Sequence, residues 1–172
     1  MKKFFLMILA VALFIVAVGY FTGPAGRNGQ KTPLEELINK TKVKTYIVRV
    51  GNLEIKVEVA DTNEKRSLGL SNRETLDAAE GMFFVFSGKS QNSFWMKDMR
   101  LPIDIIWIDE GKIVGIDQNV QPQPGVADAQ LKLYYPPVPV SEVLEVNAGF
   151  SDANGLNVGD SVELAFTPPA LP

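Results

Sequence analysis

The 172-residue chain contains neither cysteine nor histidine. Without cysteine it has no disulfide, no thiol nucleophile and no thiolate metal ligand. Without histidine it lacks the usual general base near neutral pH and the imidazole ligand that zinc sites favour. No cofactor and no metal centre are expected. A cysteine-free chain suits an oxidising and a reducing compartment equally. Basic residues are also short: 17 Lys and Arg face 20 Asp and Glu, for a net charge of −3 and a pI near 5.1. That balance lacks the basic stripe of a nucleic-acid binder. Neither a G-x-G-x-x-G turn nor a P-loop occurs, so no phosphate cradle is built. Chemistry is left to carboxylates, hydroxyls, amines, guanidinium groups and aromatic faces.

One long uncharged run stands out, residues 4–21, directly behind Lys2 and Lys3. As a helix it spans about 27 Å, close to the ~30 Å hydrocarbon core of a bilayer. A cleavable signal has an apolar region of roughly 7–15 residues and a small-x-small exit. Only Ala17-Val18-Gly19 offers such an exit. Residues 1–21 therefore read as a single N-terminal hydrophobic helix, a retained membrane anchor before a cleaved signal peptide. The paired lysines keep the N-terminus in the cytoplasm and put the rest of the chain outside. Cleavage would instead release a secreted or periplasmic domain.

Residues 22–44 are rich in Gly, Pro, Asn and Lys and read as a linker. Within them Thr32-Pro33 can start a short helix. The folded domain is placed at 45–167, with a tail at 168–172. Leu53, Ile55, Val57 and Val59 alternate with Glu54, Lys56 and Glu58 beyond Gly51-Asn52. That is a half-buried hairpin closed by a tight turn. Asp61-Thr62-Asn63-Glu64 signals a helix start, with a helix over 62–68 closed by Gly69. Residues 71–74 repeat the signal and predict a second helical turn. Strands follow at 82–86, 93–96, 101–109 and 112–117, then an extended proline-rich loop at 120–139. Closing strands lie at 142–147 and 161–166. The fold class is mainly β, a compact antiparallel barrel or sandwich with one or two short helices.

Several residues carry a family pattern: Arg66, Gly69-Leu70, Arg73, Gly81-Met82, Phe84, Phe86 and Phe94-Trp95-Met96-Lys97. Pro102, Asp104, Trp107, Leu144-Glu145, Ala148-Gly149 and Gly159-Asp160 continue it. Over about 46–164 the chain resembles the prokaryotic domain-of-unknown-function family 192. The resemblance implies a compact, mainly β domain, often behind a signal peptide or anchor, and no established activity. Asp98 and Met99 depart from the pattern, which has residues such as Asn and Thr there.

The densest stretch is 81–107, where aromatics and methionines interleave with Lys97, Asp98, Arg100 and Asp104. Strand alternation turns Trp95 and Lys97 to one side and Phe94 and Met96 to the other. An exposed Trp95 is an apolar platform for a sugar ring or an extended peptide. Trp107 shares a face with Ile103 and Ile105 and belongs to the core. Asp104 sits in an apolar run and requires a cation or backbone N–H groups as partners. Arg66, Arg73, Lys97 and Arg100 are the candidate cations, and an Asp–Arg brace is the favoured arrangement.

Trp95, Lys97, Asp104, Arg66 and Arg73 are thus the candidate ligand-binding residues, with no catalytic residue assigned. The expected role is a membrane-anchored extracytoplasmic binding or accessory module of the cell envelope, directed to a glycan. A hydrolase using Asp98 and Asp104, or a Ser90/Ser93–Lys97 pair, is one alternative. The other is a structural domain that meets an envelope protein through an apolar patch at 134–140. Partners are then the membrane and a cell-wall glycan or envelope protein, and not nucleic acid.

Overall fold

The structure is a computed structural model that describes residues 45–166. The expected hydrophobic helix at 1–21, the linker at 22–44 and the tail at 168–172 lie outside the described residues. No helix among those described is long and apolar enough to cross a membrane.

Two strands open the domain, β1 (Thr45–Val50) and β2 (Leu53–Ala60), joined through Gly51 with φ 59°. The hairpin reading holds because the alternation at 53–59 puts one face in the core. Helix α1 (Asn63–Leu68) follows, with the Thr62 hydroxyl accepting from the Lys65 N–H at 3.3 Å and Gly69 as its C-cap. Strands β3 (Glu80–Ser90), β4 (Phe94–Trp95), β5 (Ile103–Asp109) and β6 (Lys112–Val120) come next. A 3-10 turn at Asp128–Gln130 leads to β7 (Leu133–Tyr134) and β8 (Val140–Asn147). A one-turn helix α2 (Phe150–Ala153) and β9 (Val162–Phe166) complete the fold.

Seven strands form one curled half-barrel sheet in the order β6-β5-β8-β3-β2-β1-β9, and β4 pairs with β7 in a separate ribbon. The sheet is not wholly antiparallel, as alternation alone predicts. β2 and β3 run parallel because the chain crosses back through α1 and residues 69–79 before re-entering the sheet. The second helical turn predicted at 71–74 is a turn, with Asn72 left-handed at φ 63° and its N–H donating to the Asp98 carbonyl. Asp98 is left-handed too, at φ 56°. Asn and Asp are the side-chain-bearing residues that tolerate this conformation, so the departure at 98 preserves the backbone. The two sheet edges meet at one corner, where the Val162 N–H donates to Gly111 and the Ile113 N–H donates to Asp160.

Both faces of the sheet are covered. One cluster gathers Val48, Ile55, Val57, Phe83, Ile106 and Leu144, with Val162 and Leu164 of β9 packed against it. The other face gathers Phe84, Met96, Ile103, Ile105, Trp107 and Val143. β5 and β8 serve both clusters, which explains their near-continuous apolar sequences. The predicted loop at 120–139 is a brace for the second face. Its Pro137 packs against Gly115, where an added Cβ would come within 2.9 Å of the proline ring. Its β7 holds Phe94 and Trp95 in register with Tyr134 and Leu133.

Asp104 ties the end of this sheet together. It is fully buried, and its Oδ1 accepts from the N–H groups of Asn119 at 2.8 Å and Gly149 at 3.0 Å. Its Oδ2 accepts from the Ser151 N–H at 2.9 Å. No cation among the described residues reaches it, so the Asp–Arg brace gives way to a backbone clasp. Asn119 and Gly149 both have positive φ, 52° and 79°, which turns their N–H groups toward the carboxylate. An Asp104→Asn variant would aim an amide donor at backbone donors. It is expected to lose about 2–4 kcal/mol of stability by urea denaturation, whereas a change near ±0.5 kcal/mol would contradict the clasp.

Candidate functional site

The aromatic residues fold over the second sheet face around Phe94. Its ring meets Phe84 at 5.1 Å, Trp107 at 5.3 Å and Phe86 at 6.3 Å, each edge to face. Such contacts contribute about 0.5–1.5 kcal/mol each beyond buried area, so they fix this short strand on the sheet. With Phe94 held inward, Trp95 is turned out and half-exposed at 50%. On the facing side α1 lies along β3 through Arg66. The Arg66 Nη1 donates to the Val85 carbonyl at 2.7 Å and Nη2 to Asn63 Oδ1 at 2.6 Å, with the guanidinium 5.3 Å over the Phe86 ring.

Between these walls lies an open cavity of about 620 Å³. Arg66 and Leu68 form one wall, Asn92 and Trp95 the other, with Phe84 and Glu145 deeper in. Serine hydroxyls at 67, 87, 90 and 93 add hydrogen-bonding capacity around it. An exposed indole beside hydroxyls and an amide suits a ligand with both an apolar face and polar edges. No part of the 120–139 segment lines the cavity.

Glu145 is the unusual group here. It lies on β8 between Met82 of β3 and Ile105 of β5, and is only 5% exposed. Gly81 makes room for that stretch of β8, since a Cβ there would sit 2.5 Å from the Glu145 carbonyl oxygen. The Glu145 side chain has no hydrogen-bond partner among the described residues. Burial pushes its carboxyl up to about 8, and the positive charge of Arg73 only partly opposes this. Arg73 is itself engaged by Glu58 on β2, through Nη1 and Nη2 at 2.7 and 2.8 Å. That pairing holds Glu58 below the usual carboxylate range.

The family model that describes DUF192, an uncharacterized group, matches residues 46–164. The chain belongs to this family. A crystal structure of a proposed transcription regulator from Sinorhizobium meliloti 1021 is similar, with a TM-score of 0.61 and 28% identity. The match covers 70% of this chain and 92% of that one. A protein of unknown function from Novosphingobium aromaticivorans DSM 12444 is similar at TM-score 0.60 and 28% identity, over 69% of this chain and 83% of that one. No curated protein shows significant similarity to the chain.

Within the DUF192 domain the five candidate residues separate. Arg66 and Trp95 share the cavity. Lys97 points away and pairs with Asp128, and Arg73 is committed to Glu58 beneath. Asp104 is not at this edge: it lies on the first sheet face, fully buried, with both oxygens occupied by backbone N–H groups. It therefore cannot form an acid pair with Asp98. Ser90 and Ser93 line the cavity, but the Lys97 ammonium that would activate them is held by Asp128. Where an apolar patch is expected at 134–140, Tyr135 and Val138 are exposed and Val140 is buried. Among the described residues no group of three or more acidic side chains converges to hold a metal.

Glu145 lies outside the five candidate residues, although the sequence carries a signal for it. It interrupts Val143-Leu144 and Val146 just as Asp104 interrupts its own run. The two carboxyls differ in their partners, which only the fold reveals.

Glu145 has a consequence for stability. Its native value lies above its unfolded one of about 4.5, so the folded state holds the extra proton between about pH 4.5 and 8. Stability is fully present below that window and falls through it by roughly 1.4 kcal/mol per pH unit. The Glu58 contribution works on the acid side and leaves this window clear. Thermal melts at pH 5, 6.5 and 8 should show the decline in the wild type and a shallower one in Glu145→Gln, where the burial-raised Glu142 carboxyl still contributes. Parallel curves for the two proteins would refute the buried acid.

Proposed function

We propose that this DUF192 domain is a binding module of the cell envelope, held outside the cytoplasm by residues 1–21, and that its ligand is a glycan. The observation that carries the reading is the half-exposed Trp95 ring on the rim of a cavity rich in hydroxyls and amides. A sugar presents an apolar C–H face to an aromatic ring and hydroxyls around its edge, which matches that lining. The run at 4–21 behind Lys2 and Lys3 supports the anchored, extracytoplasmic placement. Arg66 would orient the ligand, while Lys97 and Arg73 support the edge through Asp128 and Glu58.

A nucleic-acid role, suggested by the description of the Sinorhizobium neighbour, finds no support in a net charge of −3. A glycoside hydrolase needs two functional carboxyls near the bound sugar, and among the described residues Glu145 is the one acidic side chain lining the cavity.

The two tryptophans make the test direct, because Trp107 is buried and Trp95 is exposed. The full chain in detergent micelles, titrated with cello- and chito-oligosaccharides and muropeptides, should show a saturable change in tryptophan emission. Trp95→Ala should leave stability within about 0.5 kcal/mol and weaken binding about tenfold. A chain that responds to none of these fragments is not a glycan module.

A further inference from the structure

We propose that Glu145 reads the ligand by donating a hydrogen bond from its carboxylic acid to an acyl carbonyl, so that the cavity selects N-acylated sugars. The proposal rests on the glycan reading and names the class of sugar. Its foundation is geometric. Glu145 is a polar side chain, 95% buried by its 5% exposure, that lines the cavity and meets no hydrogen-bond partner among the described residues. Buried polar groups are normally satisfied, and one that is not invites a ligand atom.

Several of the neighbouring polar groups are already engaged. Arg66 donates to Val85 and Asn63, the Ser71 hydroxyl donates to the Lys97 carbonyl at 2.9 Å, and Lys89 pairs with Asp109 and Glu110. The Glu145 acid is the buried one left open. Burial keeps its proton on at neutral pH, so it offers a donor where an ionised carboxylate would offer only acceptors.

The surrounding charges decide what it donates to. Arg73 from the 69–76 segment, Arg66 from α1 and Lys89 from β3 are the nearby cations. Glu58 on β2 is taken by Arg73, and Asp117 on β6, in the same row beyond Ile105, accepts from the Trp107 indole N–H at 2.8 Å. An amine would find no free carboxylate among these groups to pair with. A neutral carbonyl oxygen meets a donor. An acetamido group on a ring stacked at Trp95 supplies that oxygen, whereas a plain hexose or a free amino sugar does not. A desolvated donor left unpaired penalises the wrong ligand strongly.

The test uses the full chain in detergent micelles, with tryptophan emission as readout and triacetylchitotriose and cellotriose as probes at pH 6 and pH 9. The wild type should bind triacetylchitotriose at least tenfold more tightly than cellotriose at pH 6, and lose that preference at pH 9. Glu145→Gln keeps an N–H donor, so its preference should persist at both pH values. Near-UV dichroism of the buried Trp107 confirms that the variant is folded. Equal affinity for both sugars at both pH values overturns the role of Glu145 and leaves the glycan reading standing. Binding of neither sugar overturns both. A pH-dependent response to acetyl-trialanine amide alone assigns the donor to a peptide carbonyl and overturns the sugar class.

Discussion

The fold depends on one buried carboxylate. Asp104 collects N–H groups from the end of β6, from the turn after β8 and from α2, and so ties those three places together. Two of those N–H groups come from left-handed residues: Gly149 adopts that conformation freely, whereas at Asn119 the hydrogen bond offsets its cost. The clasp stabilises β8 against β5, where Asp104 stands opposite Val146. One residue earlier on β8 is Glu145, facing the other way. The position of the cavity acid is thus set from the opposite face of the sheet by the structural acid.

The two carboxyls show how environment assigns a role. Both interrupt apolar strands and both are buried. Asp104 is surrounded by backbone donors that suit a carboxylate, and none of its hydrogen-bonding capacity faces outward. Glu145 has Met82 and Ile105 beside it and only the distant field of an arginine that Glu58 already holds. Desolvation wins there, because no hydrogen bond from the protein compensates it. Phe94 completes the arrangement by clamping β4 over the same face, which turns Trp95 toward solvent above the acid's cavity.

Much of this was legible in the residues. Alternation at 53–59 located the hairpin, Thr62 and Gly69 bounded α1, and parity along Phe94-Trp95-Met96-Lys97 correctly turned the indole outward and Met96 into the core. The Glu110-Gly111 turn between β5 and β6 was equally local. What failed was nonlocal. A parallel β2–β3 pair cannot be inferred from strand periodicity, which is the same for either direction. Composition points to side-chain cations as partners of Asp104, since backbone N–H groups made available by Asn119, Gly149 and α2 leave no mark in it. Lys97 and Arg73 have the right chemistry for a site, yet Asp128 and Glu58, distant in sequence, divert them. Glu145 carries the same sequence signal as Asp104, but its significance lies in having no hydrogen-bond partner among the described residues, which composition does not show.

A chain without histidine has no side chain whose ordinary titration falls near neutral pH. Burial supplies one here, by raising a glutamic acid to about 8. The same displacement that would let Glu145 act as a donor in the cavity lowers stability as the medium becomes alkaline, so function and cost share one physical origin. An apolar side chain at 145 would remove the cost and close the polar floor of the cavity. The aromatic cluster around Phe94 and the clasp at Asp104 offset that cost from two sides of the same strands. A rigid sheet is what allows an unpaired acid to stay buried: in a looser fold it would turn to water, ionise and cease to be a donor.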